Sequence, residues 1–214
     1  MDDTRTLYRA AGAIVHLSNT ADVIHRQDIL DTILFAQLFA SRQYDPFDEA
    51  DDWARACVTS LSKLHWTLAS SRSTVESLTT PFDAISQIKE TLEPSEQELS
   101  DVLKQLSIET IRDLQPHCTR ALDGVLHVKL AIASSHEKDK LHFKSLLYSC
   151  ASSFNEDWLN QTNYAAVRTP VLARLTTATF KRTEDFSAVR NKVISALGSQ
   201  RTKEIQPIQP AVSN

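Results

Sequence analysis

After Gly124 the apolar residues change from helical spacing to strict alternation, and no other feature constrains the fold as much. Leu126, Val128, Leu130 and Ile132 alternate with His127, Lys129, Ala131 and Ala133. A polar connection over 135–140 follows. Leu141, Phe143, Ser145 and Leu147 then alternate with His142, Lys144, Leu146, Tyr148 and Cys150. A period of two sends successive side chains to opposite faces of a strand, so the segment reads as an antiparallel hairpin with strands over 125–134 and 140–150. A hairpin is marginal alone. Its apolar face has too little partner surface within residues 124–214, so the residues before Gly124 must cover it.

Those residues read mostly as helices. Over 22–41, Val23, Ile29, Leu30, Ile33, Leu34, Gln37 and Leu38 fill one broad face. Asp45 and Pro46 give a cap-then-proline start to a third helix, and Asp48 and Glu49 suit the positive end of its dipole. Thr80-Pro81 opens another helix. Ser95 and Glu98 form a capping box before Leu99, Val102, Leu103 and Leu106, and Pro116 stops a short helix over 108–115. Residues 7–17 carry Leu7, Ala10, Ala11, Ile14 and Leu17 at helical spacing and read as a first helix or an N-terminal arm. His65 to Leu68 reads as a short strand before a serine-rich turn over 70–73. A third strand covers 171–180, with Pro170 at its entry. Thr183 caps a last helix, with Glu184 and Asp185 in its first turn and Gly198 past its end.

The expected fold class is α+β: a helical N-terminal half packed on one face of a small antiparallel sheet (66–69, 125–134, 140–150 and 171–180), closed by a C-terminal helix. The expected organisation is a single domain over 1–198, helical over 1–123 and strand-rich over 124–198, with a disordered polar tail over 199–214.

Charge follows the same division. Residues 1–123 hold 11 Lys/Arg against 20 Asp/Glu, a net of −9, whereas residues 164–214 hold eight against three, a net of +5. Such polarity can steer an oriented partner, or it can reflect surface composition alone. The basic residues after 164 are spread over a strand, a helix and a tail, so the expectation is no nucleic-acid partner. Met1-Asp2-Asp3 is acidic where a signal peptide is basic, and the apolar stretch over 29–40 falls short of a membrane span. No transmembrane segment and a cytoplasmic location are expected; signal-less export would read identically. Cys57, Cys118 and Cys150 form no CxxC, which argues against a disulfide framework.

With only three glycines and no GxGxxG, P-loop, GxSxG or HExxH, no cofactor is expected. The seven histidines include no i, i+4 pair, so no metal is expected either. One constellation stands out on the hairpin. Pairing Ser134 with Leu141 places His127 opposite Tyr148 and makes Cys150 its diagonal neighbour. A Cys150/His127 centre supported by Tyr148 and Lys129 would suit a hydrolase or transferase, whereas the solvent face of a hairpin is ordinarily polar without any chemistry. Phe154 and Trp158, two aromatics in a polar loop, suit a partner-binding surface. The leading expectation is a non-catalytic protein-interaction domain of accessory, regulatory or effector type, which binds another protein or assembles as a homo-oligomer. The alternatives are the Cys150/His127 enzyme and an exported, toxin-like or membrane-interacting virulence protein.

Overall fold

The computed structural model describes residues 7–18, 23–78, 84–92, 94–137, 139–150, 158–159, 171–182 and 186–208. The chain opens with two strands, β1 (Leu7–Ala10) and β2 (Ala13–Leu17), where a helix or arm was expected. Every residue of β2 is buried. A strand buried on both faces shows no alternation, so its period cannot be read from the sequence. The β1–β2 turn puts Ala11 at φ 49° and needs glycine at position 12. A Cβ there would meet the Cβ and carbonyl oxygen of His117 at 3.1 Å.

Helices α1 (Val23–Ser41) and α2 (Ala50–Lys63) follow. The Asp45 carboxylate accepts from the backbone N–H groups of Phe47 and Asp48 at 2.8 and 2.9 Å, and the Glu49 carboxylate accepts from Asp45 N–H at 2.9 Å. The cap foreseen at Asp45 thus holds a turn, and α2 begins five residues later. Next comes β3 (Trp66–Leu78), a continuous strand of 13 residues in place of the expected short strand and turn. Serine and threonine keep an exposed strand soluble, and so resemble a loop in sequence.

Helices α3 (Ala84–Lys89), α4 (Gln97–Lys104) and α5 (Ile108–Cys118) come next, with one 3₁₀ turn at Pro94–Glu96. Helix α5 runs through Pro116, which was expected to stop it. Strands β4 (Thr119–Leu122) and β5 (Val125–Ser135) form a hairpin in which Asp123 and Gly124 both have positive φ, 51° and 76°, the signature of a type I′ turn. Then come β6 (Lys140–Cys150), β7 (Val171–Arg182), α6 (Ser187–Leu197), α7 (Gln200–Glu204) and β8 (Ile205–Pro207). Gly198, at φ 52°, ends α6 as its sequence suggested. Residues 200–207 are helix and strand where a polar tail was expected. Thr80, Pro81, Phe82, Pro170, Thr183, Glu184 and Asp185 lie outside the described residues.

The sheet is not small, and this overturns the expected architecture. It has eight strands in the order β3-β7-β6-β5-β2-β1-β8, with β4 also paired to β5. β2 runs parallel to β5, and the other pairings are antiparallel. Helices cover both faces, not one. On the first face α3, α4 and α5 pack on Ile14, Leu126, Val128, Leu130, Ile132 and Leu146. On the second, α1, α2 and α6 pack on Val15, Ala131, Ala133, Phe143 and Phe180. The class remains α+β, but the sheet is a middle layer.

Where helices cover both faces of the sheet, a buried polar side chain is costly unless it is paired. Lys144 on β6 donates to the Glu96 carboxylate at 2.7 and 2.5 Å, and Ser134 on β5 donates to the same carboxylate. Glu96 is fully buried. It fastens the 3₁₀ turn before α4 to the sheet. His16 lies beside the ring of His136, 4.8 Å between centroids, and burial lowers its pKa to about 4.

The acidic half and the basic half pair with each other. Asp28 of α1 accepts from Arg182 at 3.2 Å and from Arg190 at 2.7 Å, Asp31 accepts from Arg201 at 2.7 Å, and Asp51 pairs with Arg174. The charge polarity of the sequence is therefore largely a set of internal clasps between α1 or α2 and the C-terminal elements. Among the described residues, no helix is long and apolar enough to cross a membrane. The apolar stretch over 29–40 lies in α1, where Ile29, Ile33, Leu34 and Ala40 belong to the core.

Candidate docking site

The two edges of the sheet differ. β8 is three residues long, ends in proline and offers little for another strand to pair with. β3 is long, and among the described residues no strand pairs with its outer edge. Its register with β7 slips once, between Leu68 and Ser70, and then runs unbroken from Ser70↔Thr179 to Leu78↔Val171. Ser70, Ser71, Arg72, Ser73, Val75 and Ser77 are exposed, Val75 to 55%. This stretch contains no proline, and its only charged residues are Arg72 and Glu76. Native edges are usually blunted by brevity, lysine, proline or a covering element. Residues 70–78 carry none of the first three.

A groove of about 260 Å³ runs inward from this edge. It crosses the second sheet face from Val75 on β3 past Arg174 on β7 and Leu147 and Ser149 on β6 to His127 on β5, under Phe47 and Ala50 at the start of α2. Cross-strand register explains the line: Val75 pairs with Arg174, and Arg174 with Leu147. The Arg120 guanidinium lies over the outer part of the Phe47 ring at 4.6 Å and pairs with Asp45 at 2.7 Å. The hydrogen bond from Arg120 holds the Asp45 carboxyl well below the usual carboxylate range. Lys129, next along this face from His127, is buried. Its ammonium lies 4.2 Å from the centroid of the Trp53 ring and 5.9 Å from that of Phe47, and burial pushes its pKa down.

His127 and Tyr148 both touch the groove, and the strand register places them differently from the expected Cys150/His127 arrangement. The observed register pairs Ser134 with His142, one residue from the expected pairing with Leu141. His127 therefore stands opposite Ser149, Tyr148 opposite Val128, and Cys150 opposite Leu126. A one-residue slip moves a strand's residues to the other face, so position 150 shares a face with Leu126 and not with His127. The expected register assumed one dry face and one wet face. A sheet covered on both sides has neither, and Lys144 and His142 share the face of Leu126 to Ile132.

The slip brings in a residue that the sequence reading passed over. Ser149 Oγ lies 2.8 Å from His127 Nδ1. Among the described residues His127 has no further hydrogen-bond partner to orient it as a base, and both residues sit on strands whose backbone is paired within the sheet. A nucleophile needs a base, an orienting group and oxyanion donors. Among the described residues only the first of these contacts is present, and the pair puts a polar spot on the groove floor. Cys57 and Cys118 are buried thiols, and burial pushes Cys118 up to about 11 and Cys57 higher still, which makes both poor nucleophiles.

Of the two aromatics expected to bind a partner, only Trp158 falls among the described residues. Trp158 is 1% exposed, belongs to the first-face core and donates its indole N–H to the Ile111 carbonyl at 3.3 Å. Phe154 lies outside the described residues.

No family model and no curated protein matches the chain. Among solved structures it is similar to that of the Evf virulence factor, with 10% sequence identity and a TM-score of 0.38 over all of this chain and 94% of that one. A likeness of that degree carries no argument about function.

Proposed function

We propose that this chain is a non-catalytic protein-interaction domain, and that it docks an extended segment of its partner along the outer edge of β3. The observation that carries this reading is the contrast between the sheet's two edges: one is three residues long and closed by proline, the other is 13 residues long, with residues 70–73, 75 and 77 exposed. An added strand gains affinity from main-chain hydrogen bonds and specificity from side-chain pockets beside the edge. The groove behind Val75 supplies such a pocket, lined by Phe47, Val75 and Leu147 with the Ser149–His127 pair at its inner end.

The test uses a panel of synthetic nine-residue peptides with alternating apolar and polar residues. Peptides that bind should slow amide exchange within 70–78. Val75→Lys, which puts a charge on the groove side of the edge, should abolish that protection while the melting temperature stays unchanged. Protection elsewhere, or none from any peptide, would remove β3 as the docking element.

A further inference from the structure

The open edge of β3 is self-complementary, and we propose that its partner is a second copy of this chain. The proposal rests on the reading of β3 as a docking edge and names the occupant. After the register slip at Ala69, β3 runs regularly over 70–78, and the midpoint of that stretch is Thr74. A two-fold axis through Thr74 pairs residues in antiparallel fashion so that their numbers add to twice 74. Ser70 then stands opposite Leu78, Ser71 opposite Ser77, Ser73 opposite Val75, and Thr74 opposite itself. Arg72 stands opposite Glu76 of the second copy, and Glu76 opposite its Arg72.

Arg72 and Glu76 are the only charged residues of β3, and they lie two positions either side of Thr74, the centre of its regular stretch. One axis therefore uses the whole regular stretch and satisfies both charges at once. Moving the axis by two residues, a register shift of four, breaks this match: centring the pair on Arg72 sets arginine against arginine. Like charges directly opposite destabilise a strand pair, whereas opposite charges and Thr–Thr or Ser–Ser neighbours stabilise it. An interface related by a two-fold axis must be self-complementary, and this edge meets that condition. The product is one continuous sheet across two copies, in which neither β3 edge stays exposed.

The register also fixes how the edge should respond to charge exchange. Arg72→Glu sets the new carboxylate against Glu76 twice, and Glu76→Arg sets arginine against arginine twice. Each single variant should weaken self-association by about tenfold or more, since two attractive pairs become repulsive. The double variant R72E/E76R restores both attractions with the signs exchanged. A mixture of the two single variants should also associate, because one edge then carries only glutamates and the other only arginines.

Light scattering after size exclusion, over a range of protein concentrations, reads the mass directly. The expected result is a dimer for the wild type and for the double variant, monomers for each single variant, and a heterodimer when the singles are mixed. Far-UV circular dichroism spectra of the single variants should overlay the wild-type spectrum, which reports that each variant is folded, and any difference in melting temperature should follow protein concentration. A wild-type monomer at every concentration overturns the proposal, as does a dimer indifferent to both swaps. A monomer whose 70–78 amides are protected by a peptide of another sequence overturns the second copy as occupant and leaves β3 standing as a docking edge. A monomer with no such protection overturns both.

Discussion

Replacing Lys144 by methionine leaves the Glu96 carboxylate buried with its cation gone. Glu96 is fully buried, Lys144 is 4% exposed, and their contacts are 2.5 and 2.7 Å. Removing one partner of such a pair costs about 3–5 kcal/mol, because the remaining charge has lost its compensation while its desolvation remains. The Ser134 hydroxyl offsets little of this, since a hydrogen bond to a charged group contributes roughly 1.5–3 kcal/mol and is already present in the wild type. Urea unfolding with a slope of about 2 kcal/mol/M should therefore show the midpoint of Lys144→Met falling by roughly 2 M. The double variant Glu96→Leu with Lys144→Met should recover to within about 1 kcal/mol of the wild type, because a buried ion pair replaced by apolar residues of similar size is often neutral. The local readout is the 3₁₀ turn and α4, whose amides should lose protection first in the single variant. A loss below about 1 kcal/mol for Lys144→Met would refute this reasoning, and so would a double variant no better than the single.

Three further changes test other parts of the structure. Burial holds the folded-state pKa of His16 at about 4, below its ordinary value of 6.5, so the unfolded chain binds the extra proton first and stability should fall as pH drops from 6.5 toward 4. This loss is at most about 3 kcal/mol, and His16→Gln should flatten that part of the stability–pH curve measured by denaturant titration; an unchanged slope would count against it. Lys129→Met removes a buried cation that lies over ring faces, with the Asp45 carboxylate acting on it only from beyond ion-pair distance, so stability should hold or rise by up to about 2 kcal/mol, read as a higher melting temperature. A loss above about 1 kcal/mol would show that the ammonium is better compensated than its contacts imply. Trp158→Ala should cost about 3–5 kcal/mol in denaturant unfolding, as for a large core aromatic; a loss under about 1 kcal/mol would return Trp158 to the surface.

The sequence was legible where one face of an element is dry and the other is wet. The α1 helix and the Gly198 stop follow from spacing and cap chemistry, and the β5–β6 hairpin from its period of two, whereas the Asp45 cap chemistry marks a turn and not the helix start expected there. It was illegible where both faces are buried. β2 shows no alternation, and the alternation in β5 and β6 was misassigned by one residue because Lys144 and His142 looked like a solvent face. That slip also changed the candidate site, since it puts Ser149 opposite His127 where Tyr148 was expected. The type I′ turn at Asp123-Gly124 had a direct signal, and the scarcity of glycine elsewhere obscured it. Only the first residues of β3 were expected as strand, and 70–73 were expected as a turn because three of the four are serine. The same composition leaves it an unprotected edge.

Amide exchange across 70–78 in the intact chain, followed from dilute to concentrated solution, tests the docking role of β3 most directly. β3 should exchange faster than β6 in dilute solution, because half of its backbone faces outward, and should slow as copies pair. Exchange as slow as in β6 at every dilution, or fast exchange unaltered by concentration and by every peptide, would contradict it.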